Sequence, residues 1–162
     1  MINMSRRPPE EERFIKNALQ LLKAVHYGIS KLYERGYKSV NPTTLAMFIA
    51  LLGADDIDKH DIIRKFIGKS HLHWDKMKER DEDFFINNAA HVFDLPPNAV
   101  NAVKDLYLTK DEKGDILTQE FKNDIWALLD AMIRCAIQYV YKNQGFTNVN
   151  VKHHIKVWGV KI

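Results

Sequence analysis

Cysteine is almost missing from the chain, with Cys135 the only one in 162 residues. That excludes an intramolecular disulfide framework and any zinc site built from cysteines alone, and it suits a reducing compartment. Glycine is scarce too. The seven glycines stand singly, and none belongs to a G-x-G-x-x-G, G-x-x-x-x-G-K-[ST] or G-x-S-x-G pattern. The phosphate cradles and the nucleophile elbow built on those patterns are therefore not present. Long apolar runs are also missing: the longest, Leu45 to Leu52, falls far short of the about 20 residues a helix needs to cross a bilayer. Arg6, Arg7, Pro8, Pro9 and three consecutive glutamates occupy the place of a signal peptide's apolar region. These features lead to the expectation of a soluble, intracellular protein, cytoplasmic or nuclear, with no membrane span.

What is present fits one domain of ordinary size. Apolar residues make up 46% of the chain, enough at this length to bury a core without disulfide or metal. Net charge is only +3, from 24 basic and 21 acidic residues. Its distribution is uneven. The stretch from Asp55 to Glu112 is net acidic, whereas everything after Asp130 holds Arg134, Lys142, Lys152, Lys156 and Lys161 with no acidic residue. Such an asymmetry marks either a solvated face or a site for an anionic partner.

Helical periodicity dominates. Residues 1–11 read as a flexible arm, since Pro8-Pro9 disfavours helix before it and suits a helix start after it. Phe14, Ala18, Leu21, Leu22, Val25, Ile29 and Leu32 then recur at spacings of three and four, the apolar stripe of a long amphipathic helix ended by Gly36. Asn41-Pro42 starts a second helix, in which Leu45 to Leu52 is apolar on every side and is expected at the centre of the core. Asp55, Asp56 and Asp58 offer a cap for a third, carrying Ile62, Ile63, Phe66 and Ile67. Its few cations do not make a DNA-reading helix. Leu95-Pro96-Pro97-Asn98 breaks the chain, a short helix begins at Val100, and Phe121, Ile125, Leu128, Leu129, Met132, Ala136 and Val140 form the last and cleanest stripe, with Gly145 placed to end it.

The final residues change period. Val149, Val151, Ile155 and Val157 alternate with polar residues, the pattern of a strand with one buried face. The expected fold is thus all-α, a compact bundle of about six helices with a buried central apolar helix and a C-terminal β-like strand. Residues 12–146 form the helical domain and residues 147–162 a basic tail. An unpaired strand invites pairing with the N-terminal arm, self-association or strand addition to another protein, the other reading being a tail packed irregularly on the helices. Val149, Val151, Ile155, Val157 and Trp158 are the candidate partner-binding residues. The alternative is a nucleic-acid-binding module in which Lys142, Lys152, His154, Lys156 and Lys161 contact phosphates and Trp158, Tyr139 and Tyr141 stack on bases.

Chemistry is harder to find. TKDEKGDILTQEF resembles a calcium loop around Gly114, with Asp111, Ile116 and Glu120 in register, but Thr109 and Lys113 stand where ligand oxygens belong. His71-x-His73 diverges at a helix start, and His153 and His154 point to opposite faces of a strand, so no metal site is expected from either pair. Cys135, among Ile133, Ala136 and Ile137, has the setting of a core residue. No catalytic residue and no cofactor are assigned, and the reading is non-enzymatic.

Two stretches, WDKMKERDEDFFINNAAHVFDLPPNAVNAVKDLYL and DIWALLDAMIRCAIQYVYKNQG, with the polar loop between them, span about half of the chain. Together they resemble small helical proteins of nucleocytoplasmic large DNA viruses, in which an acidic stretch leads into an aromatic helix, a Leu-Pro turn and a final helix with tryptophan near its start. The resemblance implies a virion component, an assembly factor or a host-facing adaptor. Viral mimics of Bcl-2 share the size, but their Asn-Trp-Gly-Arg signature is missing, and the one Trp-Gly pair is Trp158-Gly159.

Overall fold

The computed structural model describes residues 8–37, 42–92, 104, 106, 113, 114, 116–143 and 145–162. Every regular element among them is helical. They are α1 (Glu10–Glu34), α2 (Thr43–Leu52), α3 (Lys59–Ser70), a 3₁₀ turn (His71–His73), α4 (Trp74–Lys78), α5 (Glu82–Val92), α6 (Gln119–Lys142) and α7 (Val151–Trp158). The chain break at Leu95 to Asn98 and the short helix expected from Val100 lie outside the described residues.

The two longest helices, α1 and α6, form the central pair and share the most extensive contact among the described elements. Each is placed by its own ends. Pro9 precedes α1 and three glutamates occupy its first turn, where the helix dipole favours anions. At its other end Gly36, at φ +97°, lets the Tyr37 N–H reach the Leu32 carbonyl and the Gly36 N–H reach Tyr33, closing the last turn. Thr118 caps α6 by accepting from the Phe121 N–H. The stripe expected on α1 is buried in full, and it faces Ile125, Leu129, Met132, Ala136 and Val140 of α6. Gly28 permits the approach, because a Cβ there would stand 3.0 Å from the Phe121 ring. Cys135 is buried at this interface side of α6, as its apolar neighbours indicate.

Helix α2 corrects the sequence reading. It packs on α1, and among its described side chains only Leu45 is fully buried, while Ala46, Met47, Ala50 and Leu51 are exposed. The apolar helix is therefore peripheral. Uniform apolarity indicates burial only if other elements surround the helix, and here the longer amphipathic helices α1 and α6 occupy the centre.

The C-terminal strand is the second correction. Residues Val151–Trp158 are helical, and no strand occurs among the described residues. The alternation fails at His153, and the residues that matter most recur at i, i+4: His154 and Trp158 are buried, and Val151 and Ile155 pack beside them. Asn150 caps the helix by accepting from the His153 N–H. Gly159, at φ +61°, ends it, with the Val160 N–H on the Ile155 carbonyl and the Gly159 N–H on Lys156. The tail is thus part of the core, to which Val149, Trp158 and Val160 contribute. No helix among the described residues is long and apolar enough to cross a membrane.

Candidate functional site

Two surface features stand out. The first lies where α7 crosses α4. Trp74, fully buried, donates its indole N–H to the Ser70 hydroxyl, which in turn donates to the Phe66 carbonyl. That chain of bonds anchors the α3 to α4 junction and holds Trp74 as a wall. The His154 ring stands edge-on to it, with centroids 4.9 Å apart. Trp158, one turn further along α7, has the Lys78 ammonium 5.1 Å and the Arg134 guanidinium 5.9 Å from its ring centroid.

Asp75 follows Trp74 and faces outward, where both histidines of α7 meet it. His153 Nε2 lies 3.1 Å from Asp75 Oδ2 and 3.2 Å from Oδ1, and His154 Nδ1 lies 3.8 Å from Oδ1. Donor atoms of all three side chains fall within 4.8 Å of one another. Asp75 and His153 are exposed and His154 is buried. His71 sits beside the cluster, 3.5 Å from Asn148.

Burial sets the ionisation here. Desolvation pushes the His154 pKa below the ordinary 6.5, with Asp75 opposing and His153 and His71 assisting the fall. Desolvation, then the neighbouring His73, lowers His71 in the same way. Between 6.5 and the lower folded values the unfolded chain binds more protons than the folded one, so acid favours unfolding. In metal-free buffer the urea midpoint is expected to be lower at about pH 5.5 than at about pH 7.5, because stability is fully present above 6.5 and lost as pH falls. Equal midpoints would contradict this assignment.

The second feature is apolar. Met47 and Leu51, one turn apart on α2, are each 63% exposed. Leu51 lines an apolar groove of ≈ 240 Å³ that opens between α1, α2, α3 and α6, with Phe14, Phe48, Leu52, Phe66 and Met132 also in its lining and Lys65 its one charged residue among those described. From Pro42 to Ala54 the chain carries no charge.

The residues expected from sequence are scattered. Of the partner-binding set, Val149 and Trp158 are buried and Val151 and Ile155 half-buried, which leaves Val157 as the exposed one. They line no open strand edge. Of the cations, Lys152 and Lys156 lie on the outer side of α7. Lys142 and Lys161 border a separate cavity with Glu10 and Arg13, where the Lys142 ammonium donates to the Glu10 carboxylate at 2.6 Å. Burial alone would raise the Glu10 pKa, but the hydrogen bond and charge of Lys142, with Arg13, bring it below 4.5. His154 and Trp158 are inside and are closed to phosphates and bases, as is Tyr139. Around the calcium-like loop, Gly114 is left-handed at φ +68°, Ile116 is buried and Glu120 lies in the first turn of α6; Thr109 and Asp111 lie outside the described residues.

Asp75 was not legible as a partner of His153, because it stands 78 residues away in no motif. Met47 and Leu51 were legible as apolar but not as exposed. The chain matches no protein-family model, no curated protein and no solved structure.

Proposed function

We propose that this is a helical interaction protein, non-enzymatic, that self-associates through the face of α2. The observation that carries the reading is a projection and a groove on one patch: Met47 protrudes one turn from Leu51, which lines the apolar groove together with Phe48 and Leu52. A two-fold interface needs the same patch to supply both parts, since each copy presents to the other what it receives. Charge supports a second copy as the occupant. The stretch from Pro42 to Ala54 itself carries no charge, Lys65 is the one charged residue described in the groove lining, and an antiparallel pairing sets Asp55 and Asp56 of one copy beside the N-terminus of the other's α2, where the dipole favours anions.

Leu51→Glu tests the reading. An exposed position accepts glutamate without loss of fold, but a carboxylate inside an apolar contact has no partner. Light scattering is expected to give a dimer for the wild-type chain and a folded monomer for the variant. A wild-type monomer, or a variant that remains dimeric, would overturn it.

A further inference from the structure

We propose that Asp75, His153 and His154 bind a divalent transition-metal ion of the zinc type, which fastens α7 to α4. The donor set is two imidazoles and one carboxylate, a combination that suits zinc and its neighbours rather than magnesium or calcium, which prefer oxygen alone. The spacing agrees. At zinc bond lengths of about 2.0 to 2.1 Å, neighbouring ligand atoms in a tetrahedral site stand about 3.3 Å apart. From Asp75 Oδ1, His153 Nε2 stands at 3.2 Å and His154 Nδ1 at 3.8 Å, with one donor from each residue inside 4.8 Å of the others.

The independent observation is His154 Nδ1. It is buried, on a residue only 7% exposed, and has no hydrogen-bond partner among the described residues. Buried polar nitrogens are rarely left so. The atom lies on the Asp75 side of the ring, where a metal–nitrogen bond would satisfy it. The helical conformation of residues Val151–Trp158 makes the arrangement work: consecutive side chains diverge by about 100° on a helix, not 180° as on a strand, and the two imidazole rings lie 5.1 Å apart. Asp75 and His153 are open to solvent, which leaves room for water as the remaining ligand. The donors come from elements distant in sequence, so binding the ion selects the folded arrangement of α7 on α4.

Co²⁺ is the probe, with Zn²⁺ as competitor, on full-length protein freed of tag and stripped with chelator. Wild-type chain is expected to take up about one Co²⁺, with visible ligand-field bands that Zn²⁺ abolishes, and Zn²⁺ is expected to raise its melting temperature. No thiolate charge-transfer band should appear, since Cys135 is buried elsewhere. Asp75→Asn and His153→Ala alter exposed side chains, so each should keep the wild-type circular dichroism and weaken Co²⁺ binding by more than about tenfold. If either variant unfolds, the other carries the comparison. No Co²⁺ or Zn²⁺ uptake by the wild-type chain, or undiminished uptake by the folded variants, would overturn the proposal and leave the cluster an ordinary ion pair.

Discussion

Truncation after Gly145 is expected to abolish cooperative folding. The deletion removes α7 with Trp158, 2% exposed, and with it the buried Val149 and Val160. It also strips Phe146 from the ring of Tyr139, 5.9 Å away, and His154 from Trp74. Removing a buried tryptophan side chain alone costs about 3 to 5 kcal/mol, and a domain has only about 5 to 15 kcal/mol in total. Several such losses together exceed what remains. The truncated chain should therefore lose its cooperative thermal transition and bind a hydrophobic dye, with helical circular dichroism reduced. A truncated protein that melts cooperatively near the wild-type temperature would show that α7 is an appendage. The expectation separates the helix from the strand that the alternating valines indicate, because a docking strand is removable and a core helix is not.

Most of the architecture was legible where one face of a helix is apolar and its ends are marked. The α1 stripe from Phe14 to Leu32 is buried, as are Ile125, Leu129, Met132, Ala136 and Val140 of the α6 stripe, with Phe121 and Leu128 half-buried against the core, and Asp58 caps α3 as the acidic group before it suggests. Both failures came from patterns that do not state an orientation. Leu45 to Leu52 is apolar on every side, so its sequence cannot say which side meets protein; α1 and α6 took the centre and left α2 at the edge. Residues 149–157 satisfy a two-residue period only if His153 is ignored. The signals that decide the matter, Asn150 as a cap and Gly159 as a stop, were in the sequence but were outweighed by β-branched valines.

The candidate metal centre was legible in part. The adjacent histidines were visible, but their rejection rested on the strand conformation, in which they oppose each other. Once they belong to a helix that crosses α4, both reach Asp75. No local pattern gives the third ligand, since α7 and α4 are brought together by the packing of Trp74, His154 and Trp158 rather than by spacing along the chain.

The proposed self-association through α2 carries a second large expected consequence, set by symmetry. In an antiparallel pair, residues near the middle of the helix meet their own copies across the two-fold axis. Met47 is central in Thr43–Leu52, and the exposed alanines Ala46 and Ala50 beside it allow close approach. Helices packed at about 8 Å bring facing Cα atoms into the range of about 4.4 to 6.8 Å that a disulfide spans. The native Cys135 is buried and silent. Leu72, 77% exposed in the 3₁₀ turn and outside α2, is the matched control. The measurement is the fraction of covalent dimer formed by Met47→Cys and by Leu72→Cys under the same mild oxidation. Pairing through α2 predicts near-complete dimer for Met47→Cys and little for Leu72→Cys; no dimer at position 47, or equal amounts at both, would contradict it.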